Sequence, residues 1–269
     1  VINETKKEDL ESLIESLEKG KEKRVKVNKN SGILESITII DEEILKSNYS
    51  DDIAVIDDTA MTNMYGLPVE TIIVIDQEDH SQLLGYSIIP NKSENSFTNC
   101  FKDYLSLGGK QFRIIIADRL EAQYQSLIEI FPSTYIAFCL FHIRKDLLLH
   151  FDSDDEIIKR FYNMRKNPSL SFEYLDYLKF MRNSMKKEKG TRCLDLLIKR
   201  YDHWLPSCLI QNGLYTNFNS SRIEGFFGLL KGNYGHERGK ISTVIKNLNN
   251  LCGVLKTQCY ASYSRTISK

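Results

Sequence analysis

Two aspartates that follow a short apolar run are the first residues in this sequence that could do chemistry. The segment DDIAVIDDTAMTN (51–63) contains the run at 53–56, which has the composition of a buried strand, and Asp57 and Asp58 come directly after it. Aspartate favours turns, so the pair fits an ordinary turn. Carboxylate oxygens are also the ligands of hard divalent cations, so the pair equally fits part of a metal site.

Two further acids occupy comparable places. Asp118 ends the apolar segment RIIIAD, and Glu224 lies in SSRIEGFFGLLKG, near the start of a late predicted helix. Each acid alone also suits a structural role, because aspartate favours turns and glutamate favours the first turn of a helix. If the three carboxylates converged, they would repel one another unless cations lay between them. Two divalent ions about 3.5–4 Å apart would remove that repulsion and serve phosphodiester chemistry.

The elements around these acids predict an α/β fold of the ribonuclease H-like type. Its mixed five-stranded sheet would be flanked by helices, with the first strand beside the fourth. The predicted strands are 53–57, 69–76, 83–90, 112–118 and 135–142, and helices are predicted at 96–109 and 119–131. Strand signals vanish after residue 143, which predicts an all-helical insertion before the helix that carries Glu224.

This order divides the chain into four predicted parts. A lead-in segment of helix and strand covers 1–50, and the first part of the core covers 51–147. The helical insertion covers 148–215, and C-terminal helices that complete the core cover 216–269.

Composition excludes several classes of protein. The 269 residues are 42% hydrophobic, enough for a sizeable core, but no apolar run approaches the ~20 residues that span a bilayer. Six irregularly spaced cysteines do not form a disulfide framework, which favours a reducing compartment, cytosol or nucleus.

Charge is uneven along the chain although it sums to zero. The first 100 residues carry ten more acidic than basic residues, and the rest carries ten more basic than acidic ones. The basic part could face a polyanion, or its lysines could simply solvate helix faces. Arg222 and Lys231 lie near the third acid, where they would contact phosphates without reading sequence.

Several segments resemble one family, the Mutator-like element (MULE) transposases. VIDDTAMTNMYGLPV (55–69) resembles their D-x-T-Y-K-T-N-x-Y-x-x-P signature, although Ala60-Met61 replaces Tyr-Lys. The segment 117–147 resembles their second block, 201–209 their Trp-Pro segment, and NSSRIEGFFGLLKGNYG (219–235) their third block. The matches follow one another in order over nearly the whole chain.

The resemblance implies a DDE transposase with Asp57, Asp118 and Glu224 as its catalytic and metal-binding triad. It further implies two Mg²⁺ (or Mn²⁺) ions, transposon-end and target DNA as partners, a homodimer or larger assembly, and nuclear localisation. Asp58 falls at the family's variable position, so we expect it to be a neighbour that adjusts metal affinity.

Cys139 and His142 match the C-x-x-H element of the family. On a continuous strand they would face opposite sides, and a zinc site would need two more ligands. We therefore expect Cys139 to be a small buried residue. His142 either lies near the active site, contacting DNA or an acid, or is an ordinary core histidine.

Three functions remain open from the sequence. The first is an active transposase that cuts and joins DNA. The second is a domesticated transcriptional regulator that keeps the fold without chemistry, as in plant FAR-RED-impaired-response-type factors, which resemble this family. The third is a stand-alone metal-dependent nuclease. The intact acidic triad favours catalysis or its recent loss.

Overall fold

The computed structural model describes residues 4–30, 33–47, 52–59, 63–75, 80–185, 190–214 and 240–267. The strands are β1 Lys23–Asn30, β2 Ile33–Asp41, β3 Ile53–Thr59, β4 Val69–Ile75, β5 Ser81–Ile88, β6 Ile114–Ala117 and β7 Tyr135–Phe138. The helices are α1 Glu4–Lys19, α2 Glu42–Lys46, α3 Glu94–Ser106, α4 Glu121–Ile130, α5 Leu140–Leu148, α6 Glu156–Lys166, α7 Ser171–Ser184, α8 Thr191–Lys199, α9 Pro206–Gln211 and α10 Ile241–Ile267.

The strands form one mixed sheet in the order β1-β2-β5-β4-β3-β6-β7. The pairs β1–β2, β2–β5, β5–β4 and β4–β3 are antiparallel. The amide of Ile114 donates to the carbonyl of Asp52 over 2.7 Å. The first residues of β3 and β6 therefore lie side by side, and the two strands run parallel. The α/β class is therefore confirmed, and β3 and β6 are neighbours in the strand order.

The prediction of five strands was wrong, because β1 and β2 add two more. In β1, KRVKVNKN, lysine, arginine and asparagine outnumber the two valines. Such a composition is typical of an edge strand, where charged side chains discourage pairing with other chains. The outermost place of β1 in the sheet explains why its hydrophobic signal is weak.

The chain divides into two compact units. The first contains the described residues up to Ile115, Leu120–Thr134 and α10. The second contains Ile116–Arg119 and the described residues from Tyr135 to Leu214. No helix among the described ranges is both long and apolar enough to cross a membrane.

In the first unit, α3 and α4 pack together through large aromatic side chains. Phe101, Tyr104 and Phe131 are at most 1% exposed. The ring of Phe131 meets that of Phe101 edge-on, with centroids 5.7 Å apart. Ser93 caps α3 by accepting a hydrogen bond from the amide of Ser96.

Helix α10 is anchored on this unit by Asp41, which is 2% exposed. Its carboxylate pairs with Lys23 and, over 2.8 Å, with Lys256 of α10. It also accepts from the thiol of Cys252 and caps α2 through the amide of Ile44. Burial acts to raise the pKa of Asp41, but the charges and hydrogen bonds of the two lysines outweigh it and hold that pKa below its usual value.

We expect Asp41→Asn to lower the free energy of unfolding at pH 7 by about 2–3 kcal/mol, because two partly buried ammonium groups lose their charged partner. The loss shrinks as pH falls from about 4, where the unfolded chain takes up the proton, through the lowered pKa of the folded carboxylate. Urea unfolding at pH 7 and at a pH below about 4 measures this loss of stability. Glu43→Gln, at a half-exposed carboxylate that also pairs with Lys256, is the matched control and should cost far less. Equal losses in the two variants would contradict the anchoring role.

Candidate functional site

Asp57 and Asp58 lie on opposite faces of the sheet. Asp57 is paired in register with Thr71 of β4, and Asp58 with Glu70. Consecutive strand residues alternate between faces, while directly opposed residues share one. The strand continues to Thr59, so the prediction that it ends at Asp57 was wrong by two residues.

Asp57 belongs to the face on which α10 lies. Thr71, the register partner of Asp57, is in turn paired with Tyr86 of β5, so the three residues share one face. The hydroxyl of Tyr86 donates to Asn249 of α10 over 3.0 Å. Asp57 is 5% exposed, and its Oδ1 accepts a hydrogen bond from the amide of Asp58 over 2.9 Å. This bond fixes the orientation of the carboxylate.

Asp58 belongs to a polar row on the other face. Its register partner Glu70 is opposite Ser87, which in turn is opposite Thr38. The carboxylate of Asp58 forms an ion pair with Lys92. The role that we expected for Asp58, as a neighbour that adjusts metal affinity, stays a prediction.

Glu70 is a buried acid with a perturbed pKa. It is 1% exposed, and its Oε1 accepts from Nε2 of Gln123 over 2.6 Å. Its Oε2 has no hydrogen-bond partner in the part of the chain that the structure describes. Burial, and after it the negative charges of Asp58 and Asp57, hold the pKa of Glu70 well above its usual range. Burial therefore favours the neutral form of Glu70 in the folded chain.

We expect Glu70→Gln to raise the free energy of unfolding at pH 7 by about 1–3 kcal/mol in metal-free buffer. The folded wild type binds a proton that the unfolded chain has lost above its ordinary pKa near 4.3, so wild-type stability falls as pH rises from there. Glutamine keeps the acceptor for Gln123 and needs no proton. Chemical unfolding between pH 4 and 8 measures the difference, which should vanish near pH 4. The exposed Glu35→Gln is the control. A Glu70→Gln protein that is less stable than wild type at pH 7 would refute the neutral-acid assignment.

Asp118 directly follows β6 in the second unit, and its side chain is 37% exposed. Its Oδ1 accepts a hydrogen bond from the amide of Arg119 over 2.6 Å. Asp57 and Asp118 thus share one local arrangement, in which the amide of the next residue holds Oδ1. The Nδ1 atom of His142 lies 3.9 Å from the same oxygen, which is beyond hydrogen-bond reach.

Cys139 and His142 do not lie on one strand, contrary to the prediction of a strand over 135–142. Strand β7 ends at Phe138, Cys139 is the N-cap position of α5, and His142 is in the first turn of that helix. Helical spacing of the buried Leu140, Ile143 and Leu147 explains the change of element. Cys139 is fully buried, as expected of a small core residue.

The donor set of the predicted triad fits Mg²⁺, which prefers carboxylate oxygens. Asp57 and Asp118 are the two members that the structure describes. Glu224, Arg222 and Lys231 lie outside the described residues. Within the described ranges, no group of three or more His, Cys, Asp or Glu side chains could hold a metal ion.

Sequence reasoning missed four residues around the two aspartates: Glu70, Lys92, Arg119 and Asp146. Glu70 carries one signal, a glutamate inside the apolar segment VETIIVI, which indicates a buried acid. Arg119 and Asp146 form an ion pair across 27 positions of sequence. No local pattern could predict that pair.

The fold and these residues define an α/β protein with acids at two strands of a mixed sheet. Residues 53–146 match the family description "MULE transposase domain", a segment that includes both Asp57 and Asp118. The match supports a MULE-type transposase, and the resemblance seen in the sequence motifs is confirmed.

Two individual proteins are also similar to this chain. Protein FAR-RED IMPAIRED RESPONSE 1 of Arabidopsis thaliana is 23% identical over 171 residues, which cover 60% of this chain and 20% of that protein. The chain thus spans about a fifth of the length of that relative. A chain of the Drosophila P element transposase strand transfer complex aligns with 84% of this chain and 70% of its own length. Its identity of 9% and TM-score of 0.27 are too low to carry an argument.

Proposed function

We propose that this chain is the catalytic domain of a DDE-type DNA transposase with a ribonuclease H-like core. Asp57, Asp118 and Glu224 would bind two Mg²⁺ or Mn²⁺ ions. The observation that carries the proposal is that the matched MULE segment contains two aspartates at sheet strands, each oriented by the amide of the following residue.

The third acid belongs to the segment before α10, which begins 17 positions after Glu224. Helix α10 lies on the face of the sheet that carries Asp57, as the bond between Tyr86 and Asn249 shows. Arg222 and Lys231 would hold the phosphates of the DNA.

Each side chain has a defined task in this proposal. When bound, the metal ions would activate water or a 3′-hydroxyl and stabilise the leaving oxygen of the phosphodiester. Asp57 and Asp118 would hold the ions in fixed geometry, because hydrogen bonds from the amides of Asp58 and Arg119 restrict their rotation. Burial of Asp57 would limit competing water on its side of the site.

Cleavage of labelled terminal-repeat DNA tests the proposal. With Mg²⁺ or Mn²⁺, we expect the full-length protein to nick the DNA at the element end and to join the 3′-hydroxyl to a target. Chelation of the metal should abolish both reactions. We also expect the protein to form a homodimer or larger assembly on paired transposon ends, which light scattering measures. We expect it to be located in the nucleus, which fluorescence microscopy measures. If the protein binds DNA but does not nick it under any metal condition, the proposed transposase activity is contradicted.

A domesticated DNA-binding regulator is the second candidate. Similarity to Protein FAR-RED IMPAIRED RESPONSE 1 favours it. Such a protein would keep the fold and bind DNA without cutting it, so the same assay separates the two candidates. A stand-alone nuclease would nick without joining.

A further inference from the structure

We propose that Arg119 is a positioning residue, which holds Asp118 in place by tying the end of β6 to helices α5 and α8. This inference rests on the proposed function, because it assigns a task to Arg119 at the same site. All the residues concerned lie in the second unit.

Arg119 makes three contacts with three different parts of this unit. Its amide donates to Oδ1 of Asp118 over 2.6 Å. Its side-chain Nε donates to Oδ2 of Asp146 in α5 over 2.5 Å. Its Nη2 atom contacts the sulfur of Cys193 in α8 at 3.6 Å. The residue that orients the acid is therefore fixed by two helices.

Burial makes these contacts stronger than those of a surface ion pair. The side chain of Arg119 is 16% exposed and that of Asp146 is 30% exposed. Cys193 is 4% exposed, and burial raises the pKa of its thiol, so the sulfur is a neutral acceptor. A charged pair that is partly removed from water resists rotation more than an exposed one.

The acid needs such a support because it is itself partly exposed. The side chain of Asp118 is 37% exposed, and His142 stands at 3.9 Å, too far to orient it by a hydrogen bond. Groups that hydrogen-bond to metal-binding residues fix their orientation, and their loss typically costs about 10–100-fold in metal affinity or activity. The contact of Arg119 with α8 also gives the helical region a task at the site.

Arginine suits this task better than lysine. Its planar guanidinium presents several donors in a fixed fork, so one side chain reaches a carboxylate and a sulfur at once. Lysine would keep the charge and lose the second contact. We therefore expect Arg119→Lys to retain part of the function that Arg119→Gln loses.

The sharpest test is Asp146→Asn, which releases the guanidinium and leaves Arg119 itself intact. We expect the Mg²⁺ concentration for half-maximal DNA nicking to rise about 10-fold or more, with DNA affinity unchanged. Amide hydrogen exchange at Arg119 should accelerate by a similar factor. Arg119→Gln should match this metal dependence, and Arg119→Lys should fall between it and the wild type.

Arg182→Gln is the matched control, because Arg182 Nε pairs with a carboxylate oxygen of Asp195 in the same unit, also at 2.5 Å, and the two side chains are more exposed, at 35% and 52%. It should change neither readout. If the wild type nicks DNA and Asp146→Asn keeps its metal midpoint, the positioning role is overturned, whatever the exchange rate. If the wild type does not nick, the proposed function fails on its own. In that case amide hydrogen exchange tests the positioning role of Arg119. Faster exchange at the Arg119 amide in Asp146→Asn supports that role, and an unchanged rate overturns it.

Discussion

Asp57→Asn should lower the rate of metal-dependent DNA nicking by at least about 1,000-fold. A metal ligand contributes several kcal/mol to stabilising the transition state, and each 1.4 kcal/mol corresponds to a factor of ten in rate. Asparagine has the same shape, and its side-chain oxygen can still accept from the amide of Asp58. The fold should therefore survive, and single-turnover cleavage with saturating DNA measures the loss.

The adjacent acid provides the matched control. Asp58 lies on the opposite face, in register with Glu70 and paired with Lys92. Asp58→Asn should thus cost no more than about 10–100-fold in rate, the range of a group that acts through a neighbour. Equal losses at the two positions would contradict the separation by face. Circular dichroism and DNA binding should be unchanged in both variants.

Trp204→Ala should lower the free energy of unfolding of the second unit by about 3–5 kcal/mol. Trp204 is fully buried, and its ring meets Tyr174 edge-on at 6.2 Å. Its indole nitrogen donates to the carbonyl of Leu197 in α8 over 2.9 Å. The substitution leaves both a cavity and an unpaired carbonyl, so two penalties add.

Urea unfolding followed by circular dichroism measures this loss, because Trp204 is the single tryptophan and its fluorescence disappears with the substitution. Phe180→Ala is the control at a large aromatic side chain of the same unit that is 66% exposed, and it should cost less than about 0.5 kcal/mol. Trp204→Phe should fall between them. A Trp204→Ala protein as stable as Phe180→Ala would contradict the central place of Trp204 in this core.

Local patterns predicted the elements whose signal is local. The apolar runs before Asp57 and Asp118 indicated buried strands, and both strands exist. Because side chains alternate along a strand, Asp57 and Asp58 of β3 must lie on opposite faces of the sheet. The sequence alone could not say which of these faces carries α10. The helical character of the chain after residue 143 also follows from periodicity.

Features that depend on distant residues were not predictable. The edge strand β1 owes its place to pairing with β2, whereas its own composition is polar. The end of β7 at Phe138 is set by helix packing of Leu140 and Ile143, which an apolar run cannot reveal. The contacts of Arg119 join residues 27 and 74 positions apart, so they exist only in the folded chain.

The central claim is that Asp57, Asp118 and Glu224 bind the same metal centre, and metal-directed cleavage of the protein itself tests it most directly. Fe²⁺ that replaces Mg²⁺ at such a centre reduces added hydrogen peroxide to hydroxide and a hydroxyl radical, and the radical cuts the chain beside the metal ligands. Mass spectrometry of the fragments should reveal three cuts, near residues 57, 118 and 224. All three should be suppressed together by Mg²⁺ and lost together in Asp118→Asn. Cuts at only one of the three positions, or cuts that persist in Asp118→Asn, would contradict a shared site.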